Sequence, residues 1–304
     1  MSASAGDKGV EEDGVRCCAS CGIAGGDDIK LKKCTGCHLV RYCSVKCQKD
    51  HRPQHKKECK KRAAELYDEI LFKQPECYLG DCPICYLPLP IDKTESTMMS
   101  CCSKVICDGC NYANRVREAR GKLQCKCPFC REVLPYTDEE WDERLMKRVE
   151  VNDPAAICDM GTMRDIEGDY KSAFEYWTKA AALGSVEAHY QLSCLYPKKD
   201  TKKELLHLKE AAIGGHPLAR HNLGIHSYEN GRVDRAVKHF IIAAKLGFDK
   251  SLKNLKDLQE AGFVSEEEFA SALRGHEAAT DATKSPQREE AAEFNLSEDK
   301  SGAV

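Results

Sequence analysis

The sequence predicts two small cysteine-rich modules followed by an all-α array of helical repeats. The first observation is the cysteine distribution: 18 of the 20 cysteines lie between Cys17 and Cys130, and only Cys158 and Cys194 follow. The second is a shift beyond Asn152 to the alanine, leucine, lysine and glutamate content that is typical of helices. The third is a pattern of small residues that recurs every 31 or 32 residues in this helical half. A chain of 304 residues has room for two or three such units.

Composition excludes several classes of protein. No apolar run approaches the roughly 18 residues that a membrane helix requires, and residues 1–14 lack the apolar core of a secretion signal. We therefore expect a cytoplasmic or nuclear protein, in which cysteines stay reduced and clustered cysteines bind a metal. The net charge of −3 does not indicate nucleic acid as a partner.

The first cysteine module, residues 17–59, contains four pairs of metal-ligating residues. These pairs are Cys18 and Cys21, Cys34 and Cys37, Cys43 and Cys47, and His55 and Cys59. Zinc prefers thiolate and imidazole ligands, and a short C-x2-C loop presents only two corners of a tetrahedron, so each of two zinc ions must take a second pair from elsewhere. The alternative is that some of these cysteines are buried thiols, but a segment this short cannot bury an adequate core alone.

The order of these pairs, with Tyr42 directly before Cys43, resembles the MYND zinc finger. The resemblance implies two interleaved zinc sites. One would contain Cys18, Cys21, Cys43 and Cys47, and the other Cys34, Cys37, His55 and Cys59. His51 is an alternative to His55, although only His55 gives the H-x3-C spacing, and Cys17 is redundant beside Cys18.

A basic segment overlaps the first module. Between Lys30 and Arg62, 12 basic residues accompany only Asp50 and Glu58. Part of this excess offsets the negative charge that thiolate ligands leave on each zinc site. Since Tyr42 is the only aromatic residue in the segment, no set of aromatic side chains is available to stack on bases. We therefore favour a solvated basic face over nucleic-acid binding.

The second cysteine module, residues 81–131, predicts two further zinc sites. Its cysteines include Cys82 and Cys85, Cys101 and Cys102, Cys107 and Cys110, and Cys127 and Cys130. The pattern resembles a RING finger, but Lys104 occupies the position of a histidine ligand, and a protonated lysine has no lone pair for zinc. The resemblance implies one complete site of Cys82, Cys85, Cys107 and Cys110, and another of Cys102, Cys127, Cys130 and one further thiol. Cys101 is the favoured fourth ligand and Cys125 the alternative, which gives four zinc ions in total.

The RING resemblance also implies an activity. RING domains act as ubiquitin ligases that hold a charged ubiquitin-conjugating enzyme in a reactive orientation, without covalent catalysis. In this chain Ile84 would contact the conjugating enzyme, and the guanidinium of Arg131 would bridge the enzyme and ubiquitin. The alternative is that Ile84 belongs to the core and Arg131 to a solvated segment. No catalytic residue is predicted, because a zinc with four protein ligands leaves no open position for water.

The helical half, residues 151–275, is predicted to be a repeat array. Ala156, Ala188, Ala219 and Ser251 follow one another at 32, 31 and 32 residues, and Trp177, Leu208 and Phe240 keep the same step. Small residues let antiparallel helices approach closely, while the bulky residues fill the core between repeats. With Lys179 to Gly184 matching K-A-A-x-x-G, the array resembles the Sel-one-like branch of tetratricopeptide repeats. The resemblance implies three helix pairs with a face for peptides or proteins; His207 and His239 are expected at surface or groove positions.

The remaining segments connect or flank these units. Residues 60–80 are predicted to be a helical connector, and residues 132–150 a linking helix that a capping box opens at Thr137. A second capping box at Ser265 begins a closing helix. Residues 1–16 and 276–304 are predicted to be disordered, because they are polar and acidic with few bulky apolar groups.

These features together predict a zinc-binding adaptor that recognises protein or peptide partners through its zinc finger and its helical repeats. The alternative is a RING-type ubiquitin ligase whose repeats bind the substrate. No membrane partner is expected.

Overall fold

The computed structural model describes residues 17–195 and 201–301, with side chains through residue 295 in the last helix. The chain divides into two compact units, Met1–Leu71 and Phe72–Val304. The segment 1–16, predicted to be disordered, lies outside the described residues. No helix in the described part of the chain is both long enough and apolar enough to cross a membrane.

The first unit has a core that consists mostly of metal-ligand candidates. Strands β1 (Lys32–Lys33) and β2 (Arg41–Tyr42) pair antiparallel, with Lys32 opposite Tyr42. Helix α1 (Val45–Leu71) follows. The buried cluster is formed by Cys18, Cys34, Cys37 and Tyr42. Because so few other apolar side chains are buried together here, the fold of this unit depends on whatever holds its cysteines in place.

Helix α1 differs from the sequence prediction at both ends. It begins at Val45, inside the first cysteine module, and ends at Leu71, so the predicted connector 60–80 is helical only in its first part. The helix runs through Pro53 without ending there. Its first half carries Cys47, His55 and Cys59, and ligands four residues apart lie on one helix face. Helix α1 therefore supplies one ligand of the first predicted zinc site of this module and two of the second.

In the second unit, the second cysteine module is a hairpin followed by a helix. Asp92 caps a short 3-10 turn at Lys93–Glu95 by accepting a hydrogen bond from the Thr94 backbone N–H. Strands β3 (Ser96–Met99) and β4 (Lys104–Cys107) pair antiparallel, and helix α2 (Asp108–Arg120) follows. The buried cluster comprises Cys82, Leu89, Met99, Ile106, Cys107, Cys110 and Cys127.

Antiparallel helices form the rest of the second unit. They are α3 (Asp138–Glu150), α4 (Pro154–Ile166), α5 (Tyr170–Ala182), α6 (Val186–Leu195), α7 (Thr201–Ile213), α8 (Pro217–Glu229), α9 (Val233–Lys245), α10 (Asp249–Glu260), α11 (Glu266–Ala282) and α12 (Pro286–Ser301). The predicted capping box at Ser265 is present, with reciprocal hydrogen bonds to Glu268. At Thr137 only half of the box forms, because the Glu140 carboxylate accepts from the Tyr136 N–H instead.

The repeat is visible in how consecutive helices touch. A Cβ atom at Gly161 on α4 would lie 2.6 Å from the Trp177 ring on α5, and one at Gly224 on α8 would lie 2.5 Å from the Phe240 ring on α9. In the middle pair, Leu192 and Leu208 occupy the corresponding positions and both are buried. The space between two paired helices is therefore filled in two ways: by a large aromatic ring against a glycine, or by two leucines of intermediate size.

Two expectations about the helical half are wrong. His239 is not at the surface: only 2% of it is exposed, and its ring lies 4.8 Å from that of Phe72. The described part of the segment 276–304 is helical except at residues 283–285, because α11 continues to Ala282 and α12 packs against α2. This segment has few bulky residues, but Ala291 is buried and Phe294 lies 5.1 Å from the ring of Tyr112. Docking onto α2, which composition does not reveal, orders it; residues 302–304 lie outside the described part.

Candidate metal centres

Four clusters in the described residues bring four potential metal ligands each to one point. Site 1 contains Cys18, Cys21, Cys43 and Cys47; site 2 contains Cys34, Cys37, His55 and Cys59; site 3 contains Cys82, Cys85, Cys107 and Cys110; and site 4 contains Cys101, Cys102, Cys127 and Cys130. Within each cluster all ligand atoms lie within 4.8 Å of one another. Sites 1 and 2 belong to the first unit, and sites 3 and 4 to the second.

Site 1 is built from a turn and the start of α1. The Sγ atom of Cys43 lies 3.6 Å from that of Cys21 and 3.6 Å from that of Cys47. The turn at Cys18 is closed by the Gly22 N–H, which donates to the Cys18 carbonyl at 2.8 Å. The two pairs of ligands thus come from segments about 20 residues apart in the chain, as an interleaved finger requires.

Site 2 joins a second turn to the middle of α1. The Nε2 atom of His55 lies 3.3 Å from Cys37 Sγ, and the Sγ atoms of Cys34 and Cys59 are 3.7 Å apart. His51, the alternative ligand, instead places its Nδ1 atom 3.1 Å from the Tyr42 hydroxyl. Its ring stacks on that of His55 with centroids 5.6 Å apart. Tyr42 and His51 therefore support the imidazole of His55 without joining the cluster.

Site 3 receives a contact from the far end of the chain. Its Cys85 and Cys107 Sγ atoms are 3.8 Å apart, and the Cys107 N–H donates to Cys82 Sγ at 3.4 Å. Arg288 of α12 places Nη2 3.6 Å from Cys85 Sγ and also donates to the carbonyls of Leu87 and Pro88, at 3.3 Å and 2.8 Å. A guanidinium in this position offsets the negative charge of a four-thiolate site.

Site 4 contains both members of the adjacent pair Cys101 and Cys102. The Sγ atoms of Cys101 and Cys130 are 3.3 Å apart, and those of Cys102 and Cys127 are 3.9 Å apart. Cys125 is not part of the cluster. Lys104 is exposed, and its Nζ atom lies 5.8 Å from the centroid of the Phe129 ring. The lysine that replaces the expected histidine thus points to an aromatic face, and four thiols complete the cluster without it.

The four clusters fit zinc. With a Zn–S bond near 2.3 Å, two sulfurs on adjacent corners of a tetrahedron lie about 3.8 Å apart. The sulfur pairs described above are 3.3 to 3.9 Å apart. All 20 cysteines are free thiols rather than disulfides. The first module offers seven thiolates and one imidazole, and the second offers eight thiolates. Such donors suit zinc and not a hard cation such as magnesium.

Backbone N–H groups lower the pKa of one thiol in each of sites 1 to 3. Hydrogen bonds from the Cys21 and Cys43 N–H groups lower the pKa of the Cys18 thiol to about 6. At Cys34 and Cys82, burial acts to raise the thiol pKa, but hydrogen bonds from backbone N–H groups outweigh it. The Cys37 N–H helps to lower the pKa of Cys34 to about 6, and the Cys107 N–H helps to lower that of Cys82 to about 7. The thiolate is the form that binds a metal.

The two residues expected to bind a conjugating enzyme lie in different surroundings. Ile84 is half-buried and packs against the core of the second module. Arg131 is exposed and has a positive φ of 66°, directly after Cys130.

The remaining histidine and cysteine candidates lie outside the four clusters. The Nδ1 atom of His207 lies 2.9 Å from the Nδ1 atom of His189. None of the five cysteines outside the clusters shares a metal-ligand group with three other donors in the described residues.

In the first cysteine module, the ligand pairs of sites 1 and 2 alternate along the chain. Residues 18–59 match the family model of the MYND finger. A 31-residue stretch is also 55% identical to human histone-lysine N-methyltransferase SMYD3, covering 10% of this chain and 7% of that protein. The chain therefore matches only a small part of this curated relative, and the likeness is of the size of the MYND finger itself.

Two solved structures resemble the chain over a longer stretch. A Sel1 repeat protein from Oxalobacter formigenes is 17% identical with a TM-score of 0.39, covering 56% of this chain and 72% of that one. A protective antigen of uropathogenic Escherichia coli with an SLR fold is 18% identical with a TM-score of 0.38, covering 60% of this chain and 43% of that one.

Sequence reasoning missed Arg288, since it lies in the segment predicted to be disordered. A signal for the helix was present: Ser285-Pro286 is a typical helix start, and the Ser285 hydroxyl accepts a hydrogen bond from the Arg288 N–H at 3.3 Å. The contact with Cys85, however, joins residues 203 positions apart, and no local pattern indicates it.

Proposed function

We propose that this chain is a zinc-dependent adaptor that binds protein segments through its MYND finger and its helical repeats. The observation that carries the proposal is that each of the four clusters closes with four protein ligands. A zinc with four protein ligands stabilises a fold but has no free position to activate water. The metals then serve to hold surfaces in place, and those surfaces are what a partner binds. A reducing compartment, the cytosol or the nucleus, suits a chain with so many free thiols.

The proposed zinc ligands are the sixteen residues of sites 1 to 4. Two of the surfaces they support expose apolar side chains. In the MYND finger, Leu39 and Val45 are 63% and 67% exposed, and in the second module Tyr86 and Leu123 are 78% and 61% exposed. Where such side chains form one contiguous patch, they offer a partner apolar area to bury.

Selection of peptides tests the adaptor proposal. Random peptides displayed on phage are selected against the zinc-loaded full chain, and enriched sequences are remade with a fluorescent label for anisotropy. We expect peptides that bind the loaded chain and lose binding after the Cys34→Ser/Cys37→Ser double change, which removes site 2. Cys17→Ser is the matched control, since Cys17 lies outside the clusters. If no enriched peptide binds the loaded chain, the adaptor proposal is wrong.

The second candidate is a ubiquitin ligase. What supports it is that Ile84 is half-buried, and Phe129 and Arg131 are exposed, in the module whose cysteines form sites 3 and 4. Such a ligase would orient a charged conjugating enzyme rather than form a covalent intermediate. The repeats would then bind the substrate.

Discharge of ubiquitin from a panel of charged conjugating enzymes separates the two candidates. A ligase accelerates discharge, and both Ile84→Ala and Arg131→Ala abolish the acceleration while Arg120→Ala, an exposed arginine at the end of α2, preserves it. No acceleration by the fully zinc-loaded chain across the panel would leave the adaptor function alone.

A further inference from the structure

A large groove lies in the second unit, where loops of the second cysteine module face the ends of the repeat helices. Its volume is about 1190 Å³. One wall comes from residues 74–81 and 88–95, and the other from the α9–α10 connection at residues 245–250 and from the last turns of α11. The volume exceeds the roughly 300–1,000 Å³ of pockets that hold small molecules, which favours a polymer as the occupant.

The groove is held open by contacts at both of its edges. The Tyr78 N–H donates to the Gly215 carbonyl at 3.4 Å, and a Cβ atom at Gly215 would overlap the Glu76 carbonyl oxygen. On the other side, Arg288 donates to the Pro88 carbonyl at 2.8 Å. Because these anchors fix the loop of the module against the repeats, the groove needs no closure to form.

The inner surface of the groove is apolar. Leu89 and Leu246 are buried in its floor, and Ile91, Leu218 and Phe248 are half-buried along it. A Cβ atom at Gly247 would lie 3.4 Å from Ile91 Cδ1, so the two walls come within van der Waals distance of each other at this point. Aliphatic side chains of a ligand would bury area against this floor.

The rim of the groove on the side of the module is acidic. Glu76, Asp81, Asp92 and Glu95 all line it and are all exposed. Among the described residues none of these four carboxylates forms an ion pair. Burial and the neighbouring carboxylates of Asp92 and Asp108 raise the pKa of Glu95. The groove is lined by these four carboxylates and Asp249 against Lys245 and Lys250 on the opposite wall, and Arg288 also acts on Glu95, so acidic groups remain in excess.

We propose that this groove, which we call the acidic groove, binds a polypeptide segment whose aliphatic side chains are flanked by lysine or arginine. The aliphatic side chains would meet Ile91 and Phe248, and the flanking cations would meet the carboxylates of Glu76, Asp92 and Glu95. Complementary charge selects such a segment over acidic ones. Residues 1–16 of this chain are a poor occupant, since they carry four acidic and two basic residues. The proposal rests on the adaptor function and names the chemistry of one partner.

The test uses the peptides selected against the zinc-loaded full chain. We expect one group of them to be basic and aliphatic. Their affinity should fall at least tenfold in the triple variant Glu76→Gln/Asp92→Asn/Glu95→Gln and also in Ile91→Ser, and it should weaken with added salt. The matched control is Glu143→Gln/Glu150→Gln/Glu175→Gln, which removes the same charge from exposed positions on α3 and α5 and should leave affinity within twofold. Zinc content and the thermal midpoint of each variant verify that it is folded.

The outcomes separate this inference from the adaptor proposal. If peptides bind but none loses affinity in the groove variants, or the groove-dependent ones carry no excess of lysine or arginine, the groove inference is wrong and the adaptor proposal stands. If no peptide binds at all, the adaptor proposal fails first. A groove-dependent dimer in light scattering would make a second copy of this chain the occupant and would overturn the commitment to a separate partner.

Discussion

The Tyr78 hydroxyl donates a 2.6 Å hydrogen bond to the carboxylate of Glu187, although the two residues are 109 positions apart in the chain. Tyr78 precedes the second cysteine module and Glu187 begins α6. The same carboxylate accepts hydrogen bonds from Lys93 at 2.6 Å and Gln191 at 2.7 Å, and it lies 3.3 Å from Nε2 of His216. Glu187 therefore joins the module to the repeats at one point.

Replacing Glu187 with glutamine is expected to destabilise the second unit by about 1–3 kcal/mol, because a charge-assisted acceptor with several partners becomes a neutral amide. Lys93→Ala is the control: Lys93 is 56% exposed, so losing its ion pair should cost about 1 kcal/mol or less. Urea unfolding of the zinc-loaded chain measures both variants. A Glu187→Gln variant as stable as Lys93→Ala would show that the junction does not depend on this carboxylate.

Acid is expected to weaken the same junction through His216. Burial lowers the pKa of His216, and its Nδ1 atom accepts a hydrogen bond from the Ala219 N–H, which requires the neutral ring. In the unfolded chain a histidine takes up a proton near pH 6.5. The unfolded state then binds more protons than the folded state, so stability falls as the pH drops below about 6.5.

Urea midpoints at several pH values between 8 and 5.5, with zinc content checked at each, measure this loss. His216→Gln should remove part of the pH dependence at a cost in stability at pH 8. By NMR the His216 ring should titrate at a lower pH than an unfolded histidine; a ring that titrates at or above pH 6.5 would contradict the assignment.

Loss of the Arg288 guanidinium is expected to loosen zinc at site 3. Removing a partner that contacts a metal ligand lowers metal affinity by about 10-fold or more, so Arg288→Ala should speed the release of one zinc of the four to a coloured chelator. Lys284→Ala is the matched control, since Lys284 forms its ion pair with Asp281, at 2.7 Å, and not with a cysteine of site 3. Uniform release of all four zinc ions in Arg288→Ala would point to general unfolding instead.

Zinc content distinguishes the two thiols considered for site 4. Metal analysis of the purified chain should give four zinc ions. Cys101→Ser should reduce the content to three, because Cys101 lies in the cluster, whereas Cys125→Ser should retain four. The reverse result would mean that Cys125 is the ligand.

Gly224→Ala is expected to cost about 1–3 kcal/mol, since its Cβ atom would lie 2.5 Å from the Phe240 ring. The middle helix pair suggests how to relieve the overlap, because leucines stand at the equivalent positions 192 and 208. The double variant Gly224→Ala/Phe240→Leu should therefore be more stable than Gly224→Ala alone. Thermal unfolding of four proteins, the parent chain, each single variant and the double variant, checks the sign of this coupling, and additive losses would argue against the contact.

Spacing was enough to predict that metal centres and a repeat are present. A tetrahedral ion needs two ligand pairs, so the C-x2-C pairs and the H-x3-C pair between Cys18 and Cys59 predict two sites. Which pairs share a metal followed from the resemblance to the MYND finger. Likewise, the 31- or 32-residue step that relates Trp177, Leu208 and Phe240 predicted which side chains fill the helical core. The choice of Cys101 over Cys125 agrees with the cluster found in the structure.

Other features depended on contacts between distant segments. The sequence of α12 is polar, and only its docking on α2 orders it and brings Arg288 to Cys85. His239 was expected at a surface, yet it is buried beside Phe72, a residue 167 positions earlier.

The sequence by itself determined the two cysteine modules, their ligand pairs and the period of the repeats, because local spacing constrains metal coordination and helix packing directly. Only the tertiary structure decided that the C-terminal segment is a helix beside site 3, that Glu187 joins the second module to the repeats, and that an acidic groove lies between them. These features rest on contacts between residues that are more than 100 positions apart, such as Tyr78 and Glu187, and no local pattern encodes such pairs.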